Sequence, residues 1–230
     1  VLEHFSDLNG WLSRLSRLVT EGGLLFIEVP GVLNLPHNMG YCFDFITYSC
    51  LAHTYCFNLK TISFLLSLHG FELCWGNERV RAVFQKKYRV ESLKPPMVAV
   101  TAVKKKMALL KEPHYAYLAK ALKRDRAGHP KQGIPFAREA LVNKPDWAWG
   151  HAGMAWLMFR TNQPKKAVSC ARKALAAGIK YPFPLLRLLG QQLECLQQFD
   201  EAEIVYRHYL ERRPWDCRPQ VGLARIARLR

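Results

Sequence analysis

The sequence predicts an α/β segment followed by an all-α array of helical repeats. Three observations carry that reading. Over residues 1–106, helical periodicity alternates with short apolar runs closed by Gly or Pro. After about Glu112 the strand-like runs stop, Ala becomes frequent, and helical stretches are separated by short polar loops. The residues beyond that point also repeat themselves at a period of 35.

In the first segment, Ser6 or Asp7 can cap a helix running to about Thr20. Its stripe of Leu8, Trp11, Leu12, Leu15, Leu18 and Val19 recurs at three- and four-residue spacing, as a buried face would. Glu21-Gly22-Gly23 ends it, and Leu24 to Val29 reads as an almost wholly apolar strand of the kind buried on both faces of a parallel sheet. Val32 to Phe57 has no period and is rich in His, Tyr, Phe, Asn and Asp, which is the look of a loop over a site. Leu59 to His69 returns to helix and stops at Gly70. Strands are expected at Phe71–Trp75 and Met97–Val103, with Val80–Tyr88 extended between them. Consecutive strands without an intervening helix suggest an antiparallel pair at a sheet edge.

Composition narrows the function classes. Half of the residues are hydrophobic, enough for a packed core, and no apolar run reaches the length of a membrane span. The seven Cys form no C-x-x-C pair, which argues against a zinc site and a disulfide framework and for reduced thiols in a cytoplasmic protein. The net charge is +16, and residues 113–230 hold 21 Lys and Arg against nine Asp and Glu. Such a surface favours acidic partners. No nucleic-acid motif accompanies it, so nucleic acid is disfavoured.

The series VLEH, helix, EGGLLFIEVPG, aromatic loop and HTYCFNLKTISFLLSLHGFE resembles the second half of class I S-adenosylmethionine (SAM) methyltransferases. It is most similar to the group acting on sugars, quinones and other small molecules. The resemblance covers residues 1–106 and implies a partial Rossmann-like sheet, with SAM as cofactor and a small molecule or sugar as methyl acceptor. It places Val1, Leu2, Glu3 and His4 beside the cofactor, His4 as the candidate base and Glu3 as an orienting group. The loop Pro30–Phe57 becomes the acceptor side, with His37, Tyr41, His53, Tyr55 and Phe57 as candidate contacts among further aromatics. The gap between His37 and His53, with no third ligand nearby, argues against a metal. The glycine-rich SAM loop and the acidic ribose partner have no counterpart here. The chain therefore reads as a fragment expected to bind SAM poorly, with an unpaired sheet edge that invites association.

In the second segment, Ala167-Val168 aligns with Ala202-Glu203, Met154-Ala155 with Leu189-Gly190, and Met158 with Leu193. Ala140 to Pro145 aligns with Tyr209 to Pro214. Small residues at helix contacts and Pro after the second helix resemble tetratricopeptide (TPR) repeats, in units 114–147, 148–182 and 183–216 after a linker at 107–113. A last helix, Pro219 to about Leu229, resembles half of another unit. The resemblance implies a groove that grips a protein segment, here an acidic one, with Lys120, Arg124, Arg160, Lys165 and Arg187 as candidate cations. The expected function is therefore a methyltransferase carrying an interaction array, with a non-catalytic TPR scaffold binding acidic segments as the alternative.

Overall fold

The computed structural model describes residues 2–49, 54–91, 93–96, 100–180 and 182–229, with backbone only at Val100 and Thr101. The chain divides into two compact units, Val1–Lys111 and Glu112–Arg230.

Unit 1 opens with a 3-10 turn at Leu2–His4, then α1 (Leu8–Leu18), β1 (Leu24–Glu28) and 3-10 turns at Val32–His37 and Met39–Tyr41. It continues with α2 (Phe45–Tyr48), α3 (Leu59–Ser67), β2 (Phe71–Asn77), β3 (Arg81–Lys86) and α4 (Val100–Leu109). Asp7 caps α1 by accepting the Gly10 N–H at 2.9 Å. A reciprocal box between Asn58 and Thr61 opens α3. Gly70 ends the turn after α3 at φ +81°, a conformation that suits a residue without Cβ.

The sheet has the order β1-β3-β2, and both pairings are antiparallel. This corrects the parallel, doubly covered expectation for β1. Its neighbour is β3, and its side chains alternate between a covered and an open face. Ile27, with Ala82, Phe84 and Phe71, packs on Leu8 and Leu12 of α1 and on Ile62 and Leu66 of α3. Leu24 and Phe26 stand on the other face, 66% and 59% exposed. The stripe expected along α1 is also narrower. Leu8 and Leu12 are buried, whereas Trp11 and Leu18 are exposed, Trp11 lying stacked on Phe5.

The strand expected at 97–103 is corrected too. Residues 97–99 lie outside the described residues, and Val100–Leu109 is helical. Val103, Met107 and Leu110 share one face and pack on Val32, Leu35 and Tyr48. A three-to-four-residue apolar spacing with a surface to cover overrode the β propensity of the Val-rich run. The stretch read as a linker at 107–113 accordingly holds the end of α4 and the first residue of α5.

Unit 2 is three antiparallel helix pairs and a final helix. The pairs are α5 (Pro113–Arg126) with α6 (Pro130–Asn143), α7 (Ala148–Arg160) with α8 (Pro164–Ala176), and α9 (Phe183–Cys195) with α10 (Phe199–Arg212); α11 (Cys217–Leu229) follows. The repeat is written in the backbone. The turns inside the pairs place Gly128, Asn162 and Gln197 in the left-handed region, at φ +83°, +55° and +60°. In each turn the next residue's N–H returns to the carbonyl five positions back: His129 to Arg124, Gln163 to Met158 and Gln198 to Leu193, all at 2.9 Å. The core between pairs joins Ala155, Ala171, Ala174, Leu189, Leu193, Ala202, Tyr206 and Ile226. No helix among the described residues is long and apolar enough to cross a membrane.

Candidate functional site

Unit 1 contains a small cleft of about 190 Å³ at the carboxyl end of β1. Pro30-Gly31 ends the strand and turns the chain into the 3-10 turn, which brings Asn34, Asn38 and Tyr41 opposite Glu28 and Arg79. The turn is held from below. The Tyr48 hydroxyl donates to the Pro30 carbonyl at 2.9 Å, and the Val32 N–H donates to the Phe57 carbonyl at 2.8 Å. Burial, followed by the neighbouring Cys56, pushes the Tyr48 phenol well above its ordinary pKa, so it stays protonated and donating.

Of the sequence-derived residues that are described, only Tyr41 is in the lining of this cleft. His37 ends the 3-10 turn. Phe57 is buried in the core of unit 1, and Tyr55 stacks on it with ring centroids 6.0 Å apart. Glu3 is buried and its carbonyl receives the N–H groups of Thr54 and Tyr55, while the His4 imidazole lies 3.5 Å from the Glu3 carboxylate. Leu2 sits in the same turn, half-buried. Val1 and His53 lie outside the described residues. Asn34, Glu28 and Arg79 were not singled out from the sequence, because a strand end is a polar site only once its loop is folded over it. Among the described residues no group of three or more His, Cys, Asp or Glu is placed to hold a metal.

Unit 2 offers a more ordered surface. The first helices of the pairs, α5, α7, α9 and α11, pack on one another in series, whereas α6, α8 and α10 make no comparable contact. The first-helix row is therefore the inner side of the array. A polar device recurs along it. Asp125 accepts from the Trp156 indole N–H at 2.7 Å and from Arg160 Nε at 2.9 Å in the next helix. Glu194 accepts from Arg225 Nε at 2.9 Å, again 31 residues further on. At the middle junction the corresponding position of α7 is Phe159, so no carboxylate stands there.

This register sorts the candidate cations. Lys120 and Arg124, 34 residues before the buried Met154 and Met158, are exposed on α5. Lys165 is on α8, outside the first-helix row. Arg160 and Arg187 are on that row. Arg160 is oriented by Asp125, and Arg187 is half-buried with no ion pair among the described residues. On α7 the rings of Trp156 and Phe159 lie 5.5 Å apart, and Trp156 shares Asp125 with Arg160. The 31-residue spacing from carboxylate to donor was a sequence signal that the period of the repeat made available.

The geometry of unit 2 defines a class: a solenoid of helix pairs with a 34- to 35-residue period, tetratricopeptide-like in architecture. No known family profile matches the chain, and no curated protein does. Among the solved structures similar to it is a thermophilic TPR protein of Thermus thermophilus, at 20% identity and a TM-score of 0.39. That match covers 55% of this chain and 72% of the other.

Proposed function

We propose that the chain acts as a protein-interaction module whose first-helix row takes an acidic, extended protein segment. The observation that carries this is the combination of charge and surface. Residues 113–230 hold 21 Lys and Arg against nine Asp and Glu, and the inner row carries Trp156, Phe159 and Arg160 on α7 and Arg187 on α9. Half-exposed rings supply contact area at low entropy cost, and an unneutralised guanidinium supplies a charge-assisted hydrogen bond to a carboxylate. Fluorescence anisotropy with a labelled Asp/Glu-rich peptide tests it. Binding should weaken about tenfold in Arg187→Glu and fall steeply with salt, because surface charges are screened. Equal affinity for an acidic peptide and its Lys-rich counterpart would sink the reading.

A second reading assigns unit 1 to SAM-dependent methyl transfer to a small molecule or sugar. It is supported by the ordered residue series in 1–106 and by a polar cleft at a strand's carboxyl end. The residues present do not by themselves form a cradle for the cofactor's methionine and ribose. Isothermal titration of SAM into the protein tests it, and an absence of binding heat would remove it.

A further inference from the structure

The cleft at the carboxyl end of β1 holds a buried side chain that the fold leaves unused. Asn34 is 5% exposed and lines the cleft, yet among the described residues its side-chain amide makes no hydrogen bond. Its polar atoms are not sealed in the interior, so they open onto the cleft. A buried amide with both donor and acceptor idle is costly unless a partner takes them up.

Two more lining groups are half used. Asn38 Oδ1 accepts the Gly40 N–H at 3.0 Å, which leaves the Asn38 Nδ2 donors without a partner among the described residues. Glu28 Oε1 accepts both Arg81 Nε at 2.6 Å and a terminal guanidinium nitrogen at 2.5 Å, and Glu28 Oε2 has no partner among the same residues. The frame around these groups is fixed. The Arg79 N–H donates to Asn77 Oδ1 at 2.9 Å, the Tyr41 ring meets the Tyr48 ring edge-on at 5.3 Å, and Tyr48 holds the Pro30 carbonyl.

We infer that this cleft binds a neutral ring carrying adjacent hydroxyl groups, the chemistry shared by monosaccharides and cyclic polyols. The unused groups are two amide nitrogens that donate and two oxygens that accept. An anion brings acceptors only and would face Glu28 Oε2 and Asn34 Oδ1; a cation brings donors only and would leave the amide nitrogens idle. A hydroxyl group both donates and accepts, so neighbouring hydroxyls satisfy the whole set. Size agrees: about 190 Å³ is room for about six waters at ~30 Å³ each, below the ~300–1,000 Å³ of drug-sized sites. Tyr41 and Pro30 add apolar lining for the C–H groups of such a ring. The inference names a ligand for the cleft that the methyl-transfer reading also uses, but it needs no SAM, so the two can fail separately.

The test is a titration of the full chain, 15N-labelled and free of SAM, with the methyl glycosides of glucose, galactose and mannose and with myo-inositol. At least one should bind saturably at about 1 mM, as a few hydrogen bonds in a shallow cleft allow. The Asn34 side-chain amide cross-peak should move, with other shifts gathered at residues 28–41 and 79. Asn34→Leu removes both unused polar groups at similar volume and should weaken binding about tenfold. Asn38→Asp keeps the Gly40 contact, turns the unused donors into an acceptor, and should weaken binding likewise in a chain whose remaining spectrum is unchanged. Acetate and cyclohexanol should leave the Asn34 cross-peak in place. No saturable shift with any of the four polyols overturns the inference. So does binding that is indifferent to Asn38→Asp, or an Asn34 cross-peak that acetate moves at lower concentration than any polyol.

Discussion

Tyr206 shows how much of the array depends on single residues. Its ring is clamped between Gly190 of α9 and Gly222 of α11, and a Cβ at either would run into ring carbons. Its hydroxyl donates to Glu194, whose carboxylate also holds Arg225. Three successive helices therefore meet at one phenol. Gly190→Ala gains helix propensity but overpacks this contact, and the net loss should be about 1–3 kcal/mol in chemical denaturation. Gln197 is the opposite case. It sits at φ +60° where the first pair has Gly128, so Gln197→Gly should stabilise by up to about 1 kcal/mol. Asp216 carries a pH dependence. Arg218 donates through Nε at 2.8 Å and Tyr209 through its hydroxyl at 2.5 Å, and they hold the carboxyl far below the usual range against the opposing effect of burial. A carboxyl depressed on folding stabilises above its unfolded pKa of about 3.9, and that contribution disappears as the pH falls towards the folded value. Asp216→Asn should therefore cost about 2 kcal/mol near neutrality and progressively less as the medium is acidified below about pH 4, read as melting temperature against pH.

Among the elements, α4 and β1 are where pattern and outcome part. The Val-rich run before Lys104 reads as a strand by composition, yet Val103, Met107 and Leu110 cover Val32, Leu35 and Tyr48 as one helical face. Met107→Glu buries a charge in that contact and should destabilise unit 1 by about 2–4 kcal/mol, visible as an earlier urea transition. The short strand β1 has an apolar sequence because one face is core and the other ends in an uncovered strip. Sequence cannot separate those two origins, since both ask for Leu, Phe and Ile. The helices of unit 2 were readable because each carries several agreeing signals. Three of them have Pro at the first helical position, and left-handed turns recur between partners.

At the scale of the molecule the two units differ in kind. Unit 1 organises a polar cleft at a strand end, and unit 2 repeats one supersecondary step and concentrates the positive charge on it. For unit 2 the expected outcome is an electrostatic signature: association with an acidic peptide should lose affinity roughly log-linearly with salt, and Arg187→Glu should flatten that slope. A slope unchanged in Arg187→Glu, measured by the same anisotropy titration, would place the contact elsewhere on the array.

The helical period of residues 113–230, its unit boundaries and the basic bias were determined by sequence alone, because a repeat is stabilised mainly by contacts between adjacent units that every unit restates. The cap of α1 was narrowed by sequence to Ser6 or Asp7, and the structure assigns it to Asp7. Tertiary structure alone decided that β1 pairs antiparallel and leaves one face open, that Val100–Leu109 is helix, and that Arg187 but not Lys165 lies on the inner row. Those outcomes rest on partners distant in sequence, and a local pattern states what a segment can bury without stating what will cover it.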